Sequence, residues 1–338
     1  MIDPNGRWKD WPLKGTIGAK ENHIGLPTFA GLPYSEDPAD LAGCRAAIIG
    51  APWDCQFDHP GARYGPRAIR AAGHVGAAEP EVGIDPLAEF KLLDYGDAPV
   101  IQGDGDRSSE SIARLAGEVL DAGAVPLALG GDHWIANPCI RAAAARHPGL
   151  GLIHFDAHTD TDPSYLGLTK NNHSTVFRQL VEEGLVDGSR YHQLGIRGYY
   201  TFPEAIEWQR RNGIRTHWMH EVRDRGIKPV VEAMLSEIGS GPVYVTVDID
   251  VLDPAFAPGT GTLEPGGMTT PDLLWAVREV ASRVELVGAD VVEVSPRAIE
   301  GADITAFAGH YVVREYLNGM ALRAARRKEL GHGQDREG

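Results

Sequence analysis

Short apolar runs alternate along this chain with longer stretches of helical period. Six runs stand out: AAIIGAPW, AVPLALGG, GLGLIHFD, YHQLGIRG, PVYVTVDID and ELVGADVVEV. Each is mostly Val, Ile, Leu and Ala and nearly continuous rather than alternating, which is how a strand covered on both faces reads. Helical patterns lie between several of them. SSESIARLAGEVLDAG precedes AVPLALGG, with Ser108 or Ser109 as its expected N-cap, and TPDLLWAVREVASRV precedes ELVGADVVEV. Strand, helix and strand in alternation predict a mostly parallel sheet with helices on both faces.

The ends differ from this core. Residues 1 to about 42 are rich in Gly, Pro and charge and read as an N-terminal arm. Trp8, Trp11 and Phe29 suggest that the arm packs on its own domain or on a neighbouring subunit. Residues 43–320 form a single catalytic domain in this reading, and 321–338, ending RRKELGHGQDREG, a polar, frayed tail. No internal repeat divides the chain.

Composition narrows the classes. Of 338 residues, 43% are hydrophobic and 23% charged, which suits a globular domain with a sizeable core. A net charge of −15 argues against binding nucleic acid through its phosphates. Cys44, Cys55 and Cys139 lack CxxC spacing, so neither a disulfide framework nor a thiolate zinc site is expected. No apolar run approaches the ~20 residues that span a bilayer, and the N-terminus lacks the apolar core of a signal peptide. A soluble, cytoplasmic protein without membrane or nucleic-acid partners is the expectation.

Four of the runs turn polar at their C-terminal ends. AVPLALGG is followed by Asp132 and His133, GLGLIHF by DAHTD, PVYVTV by DIDVLD, and LVGADVV by EVSPR. In open parallel sheets that edge is where ligands bind. Alternate side chains of extended backbone share a face, so Asp156, His158 and Asp160 are expected to converge, and Asp248 with Asp250. His133 follows a Gly-Gly turn that frees the backbone to swing a ligand inward. Four carboxylates in a partly desolvated cleft repel one another unless cations neutralise them. Two divalent ions balance the four, and oxygen-rich, thiolate-free ligation favours Mn²⁺ over a structural zinc. Such a pair, roughly 3.5–4 Å apart, can share a water and lower its pKa toward neutrality. One DxD at a strand end is usually a turn or cap. Three such segments in one chain point to a dinuclear centre.

GGDHWIANP, HFDAHTDTD, VTVDIDVLDPAFAPGTGT and DVVEVSPR resemble the signature segments of the ureohydrolases, the arginase and agmatinase family. PGARYGPRAIRAA and LPTFAGLP are similar to its agmatinase branch, and the likeness runs from about residue 24 to 318. The resemblance implies an arginase-like, three-layer α/β/α domain, assembled as homotrimers or hexamers, with a hetero-oligomer as the alternative. It implies that His133, Asp156, Asp160 and Asp248 hold one metal ion, and Asp156, His158, Asp248 and Asp250 the other. Asp156 and Asp248 would bridge them. The family usually takes Mn²⁺, and relatives acting on very small guanidines take Ni²⁺. By the same resemblance Asp160 orients the attacking hydroxide and Glu293 grips the guanidinium through paired N–H···O bonds. His173 in NNHSTVF would pass a proton to the departing amine, with a pKa near the operating pH. Gly61, Gly65 and Pro66 read as a turn opening a helix. Pro258 to Thr262 read as a tight turn under the site, and His154, two residues before Asp156, as core packing in preference to a pocket residue.

Two segments depart from the family. His173-Ser174-Thr175-Val176 stands where HGT and Pro are usual, and Leu263 interrupts TGTPEPGG. Such changes alter pocket shape more readily than metal ligation. Asn171, Asn172, Tyr165 and Arg197 are the expected substrate-binding residues, with Asp162, Arg178, Tyr199 and Trp218 as further wall candidates. Agmatine, whose ammonium tail wants carboxylates or aromatic faces, is the favoured substrate. Guanidinobutyrate or guanidinopropionate would want Arg, Lys or backbone N–H groups. Guanidine or a metformin-type compound, with nickel, would want a small or apolar pocket. Two readings of other classes compete: a single-zinc amide deacetylase of the same architecture, and a non-catalytic partner subunit of a mixed hexamer. The complete set of two His and four Asp counts against both.

Overall fold

All six apolar runs become strands. The structure, a computed structural model, describes residues 26–55, 60–73, 79–296 and 303–334. Its strands are β1 (Ala46–Ala51), β2 (Leu92–Asp97), β3 (Val125–Gly130), β4 (Leu150–Phe155), β5 (Val186–Ile196), β6 (Arg215–Trp218), β7 (Pro242–Asp248) and β8 (Glu285–Val292). They form one sheet in the order β2-β1-β3-β8-β7-β4-β5-β6. Every strand pairing is parallel.

Two hydrophobic clusters explain why the runs are nearly continuous. On one face Ile48, Leu127, Ile153, Val245 and Val291 pack against the helices Ile227–Ile238, Thr270–Arg283 and Ile304–Gln334. On the other, Ile49, Ala128, Leu152 and Tyr244 meet the helices Gly105–Asp121, Ala136–Ala144 and Val176–Glu182. Odd and even positions of one strand thus both face apolar neighbours, and the three-layer α/β/α expectation holds.

Local chemistry sets the boundaries. The helix expected to start at Ser108 or Ser109 begins at Gly105, capped by the Asp104 carboxylate, which accepts from Arg107 N at 3.1 Å. The Ser108 hydroxyl turns back to Asp104 O at 2.7 Å. Pro66 sits in the first turn of the helix Gly65–Ala72, as expected. The described end of the arm, from residue 26, packs on its own domain. Phe29 is fully buried, stacks on His310 with ring centroids 4.3 Å apart, and donates its N–H to Asp94 at 2.8 Å. Trp8 and Trp11 lie outside the described residues. The segment read as a frayed tail from residue 321 continues the last helix to Gln334. No described helix is long and apolar enough to cross a membrane.

Candidate functional site

Four adjacent strands, β3, β8, β7 and β4, deliver the polar residues to one edge of the sheet. The chain leaves β3 through Gly131, where any Cβ would lie 1.9 Å from Trp53 O. Only glycine lets the β3 end run so close to the end of β1. Asp132 then caps the short 3₁₀ turn His133–Ile135 and presents the His133 ring to the sheet edge.

The expected ligands do converge, but not by strand alternation. Extended backbone ends at Phe155, and DAHTD is a bend in which Asp160 takes a left-handed φ of 48°. Likewise Asp248 caps the 3₁₀ turn Ile249–Val251, its Oδ1 accepting from Asp250 N at 2.9 Å. His133 Nδ1 ends 3.1 Å from Asp156 Oδ2, 2.9 Å from Asp160 Oδ2 and 3.3 Å from Asp248 Oδ2. His158 Nδ1 lies 3.0 Å from Asp250 Oδ2 and 3.5 Å from Asp156 Oδ1. The two oxygens of Asp156 therefore face different imidazoles, as a bridging carboxylate must.

Electrostatics bear on what this set can hold. Burial raises Asp248 well above the carboxylate range, and Asp250 and Asp156 raise it further. Burial and then Asp156 push Asp160 up to about 7. Against burial, His154 first and then the His133 and His158 imidazoles beside it hold Asp156 well below its usual value. Against burial, the carboxylates raise His133 and His158 well above theirs. Protons thus gather where cations would relieve the same repulsion. Buried His133 Nδ1 and His158 Nε2 have no hydrogen-bond partner. One-atom donors from Asp156, His158 and Asp250 lie within 4.8 Å of one another. An orphaned imidazole nitrogen among carboxylate oxygens fits a divalent cation.

A cavity of about 640 Å³ opens over this edge, walled by His158, Asp160, Asp248 and Asp250 and by Glu293 and His173. Glu293, at a φ of 63°, accepts from His133 N at 2.9 Å. Burial, then Asp248 and Asp132, raise it well above the usual range. His173 opens a 3₁₀ turn, and burial, then His133 and His158, lower it to about 4. That is below the near-neutral value expected of a proton shuttle.

Of the expected substrate residues, Tyr165 lines the cavity, whereas Asn171, Asn172 and Arg197 do not. Asn171 is exposed and donates to Asp106 at 3.1 Å. Asn172 caps the His173 turn. The Arg197 guanidinium is taken up by backbone carbonyls of Gly195, Asp250, Val251, Leu252 and Glu264. Asp162 is in the wall, but Arg178 pairs with Glu182 and lies over Trp208. Tyr199 is 97% exposed and Trp218 ends β6; neither lines the cavity. The PGTGT turn contributes Gly261 and Thr262. Missed from sequence were Tyr200, Phe202 and Glu204, which complete the outer wall. His154, read as core packing, is buried but touches the centre, its Nε2 2.6 Å from Asp156 Oδ2. Its place two residues before Asp156 was the one signal for that contact.

A model of the Arginase family matches residues 44–318. The chain is similar to guanidinopropionase of Pseudomonas aeruginosa, 42% identical over 304 residues that cover 89% of this chain and 94% of that one. It is similar to agmatinase of Bacillus subtilis, 38% identical over 86% of this chain and 97% of that one. Among solved structures it resembles proclavaminate amidino hydrolase from Streptomyces clavuligerus, with a TM-score of 0.82 and 34% identity. That likeness covers 90% of this chain and 100% of the other.

Proposed function

The chain belongs to the arginase family, ureohydrolases that act on guanidino compounds, and from that premise we propose that it releases urea from agmatine. The observation that carries the substrate reading is the charge of the cavity wall. Asp162 and Glu204 line it with Tyr165, Tyr200 and Phe202, and no Lys or Arg is among the described lining residues. Carboxylates and aromatic faces suit an ammonium tail, and a carboxylate tail would meet like charge.

The family depends on two metal ions, and Mn²⁺ is the pair proposed here on the oxygen-rich donors. His133, Asp156, Asp160 and Asp248 would hold one and Asp156, His158, Asp248 and Asp250 the other. Bound there, the pair supplies positive charge and a water activated at neutral pH. The remaining work falls to the chain. Glu293 receives the guanidinium, whose charge restores the carboxylate form that burial disfavours. Asp160, in the cavity wall beside His133, would orient the activated water by accepting its hydrogen bond. His173, half-buried in the cavity wall, is the proposed relay to the leaving amine; lowered to about 4, it is neutral at pH 7 and would pass on a proton taken up during the reaction, not one held at rest.

A guanidino acid is the second reading, favoured by the 42% identity to guanidinopropionase. Urea release from agmatine, guanidinobutyrate, guanidinopropionate and guanidine, with Mn²⁺ and with Ni²⁺, separates the readings. Agmatine is expected to give the highest kcat/KM, and Glu204→Lys to lower it for agmatine by roughly tenfold while sparing guanidinobutyrate. A wild-type preference for either guanidino acid would overturn the choice of agmatine.

A further inference from the structure

Beneath the metal ligands runs a row of buried polar side chains. In register across four parallel strands stand Gln193 on β5, His154 on β4, Thr246 on β7 and Asp290 on β8. All four are within 1% of full burial. Such groups are costly inside a sheet unless each hydrogen bond is made. At the β7–β8 end the bonds form a relay that terminates on His133.

We propose that Thr246 and Asp290 are positioning residues that fix which nitrogen of His133 is offered to a cation, and so set the affinity of one of the two metal positions. The inference rests on the dinuclear reading above. Its geometry follows from counting protons. Asp290 Oδ2 accepts from the Tyr244 hydroxyl at 2.8 Å, and Oδ1 accepts from the Thr246 hydroxyl at 2.6 Å. A threonine hydroxyl has one proton, and the carboxylate takes it. Toward His133 Nε2, at 3.0 Å, the Thr246 oxygen therefore presents only a lone pair. The imidazole must carry its hydrogen on Nε2 and leave the Nδ1 lone pair facing Asp156, Asp160 and Asp248. Without the relay either tautomer is open to His133, and only one of them can ligate in that direction.

The relay reaches His133 and not His158, so its loss acts on one ion. The test is calorimetric titration of the metal-free, full-length protein with MnCl₂. Wild type is expected to bind two ions per chain. Thr246→Val, which keeps the shape but lacks the hydroxyl, is expected to weaken one binding step by roughly 10–100-fold and leave the other unchanged. Thr246→Ser, which restores the hydroxyl, is expected to bind like wild type. Asp290→Leu, which removes the acceptor and frees the Thr246 proton for His133 Nε2, serves where the valine variant fails to fold, with the same loss of one step. Excess Mn²⁺ should restore kcat of the weakened variant with KM unchanged. Two unaltered steps in Thr246→Val, or both steps weakened alike, would overturn the inference. A wild type that binds fewer than two ions instead refutes the dinuclear reading, and the inference falls with it.

Discussion

Asp160 and Glu293 hold the left-handed backbone conformation, at φ 48° and 63°, that residues with a side chain rarely adopt. Each costs of order 1 kcal/mol and persists because neighbouring bonds fix it. Phe177 N donates to Asp160 O at 3.1 Å, and Glu293 N donates to Gly131 O at 2.9 Å. The strain aims both carboxylates into the cavity. Glu293→Gln keeps the shape but exchanges charge-assisted bonds for neutral ones. It is expected to lower kcat/KM by roughly tenfold to a hundredfold with metal content unchanged, measured by urea release and elemental analysis. Metal loss in that variant would move Glu293 from the substrate to the ions. The six residues proposed as ligands could be picked out, and do converge, because each falls where an apolar run ends. Thr246 and Asp290 could not, since a polar residue within a run looks like a lapse in pattern until its partners are seen across the sheet.

At the scale of elements, the six strands read from sequence are the central ones, and the two missed, β2 and β6, are the edges. β6 is four residues long and half-exposed, so its apolar signal is weak. β2 is buried but interrupted by Asp94, whose charge hides the pattern. Arg70 answers that charge with Nε and Nη2 each 2.9 Å from the Asp94 oxygens, and reaches Asp97 with Nη1 at 2.5 Å. The same Asp94 carboxylate receives the N–H of Phe29, so one buried pair ties the helix Gly65–Ala72, β2 and the end of the arm. Removing one partner leaves an uncompensated buried charge. Arg70→Met is expected to lower unfolding stability by about 3–5 kcal/mol in urea titration. A loss under about 1 kcal/mol, the range of a surface pair, would show that water reaches Asp94. The outer cavity wall was illegible for another reason: Tyr200, Phe202 and Glu204 come from a loop and a helix start, where no period constrains them.

The whole molecule carries a pH response away from the proposed metal ligands. His192 on β5 and His217 on β6 are buried, with Nδ1 and Nε2 3.3 Å apart, and His192 Nε2 has no partner. Burial, then His217 and Arg215, lower His192 to about 4. The unfolded chain therefore takes up this proton first as pH falls below about 6.5, while the folded chain takes it up only near 4. The stability it contributes is complete above 6.5 and is lost on acidification toward 4, by about 2 kcal/mol between pH 7 and pH 5. Urea titrations at those two values should show His192→Gln losing less than wild type. Parallel losses would exclude His192 as the source. A different consequence follows from the order β3-β8-β7-β4. His133 and Glu293 touch although 160 residues separate them in sequence. A nascent chain still missing β8 has three of the four walls of its centre and nothing to close them. Since β8 separates β3 from β7 in the sheet, His133 reaches its place beside Asp248 only once β8 is laid down, and the proposed cation pair is expected to bind the completed sheet, not to nucleate it.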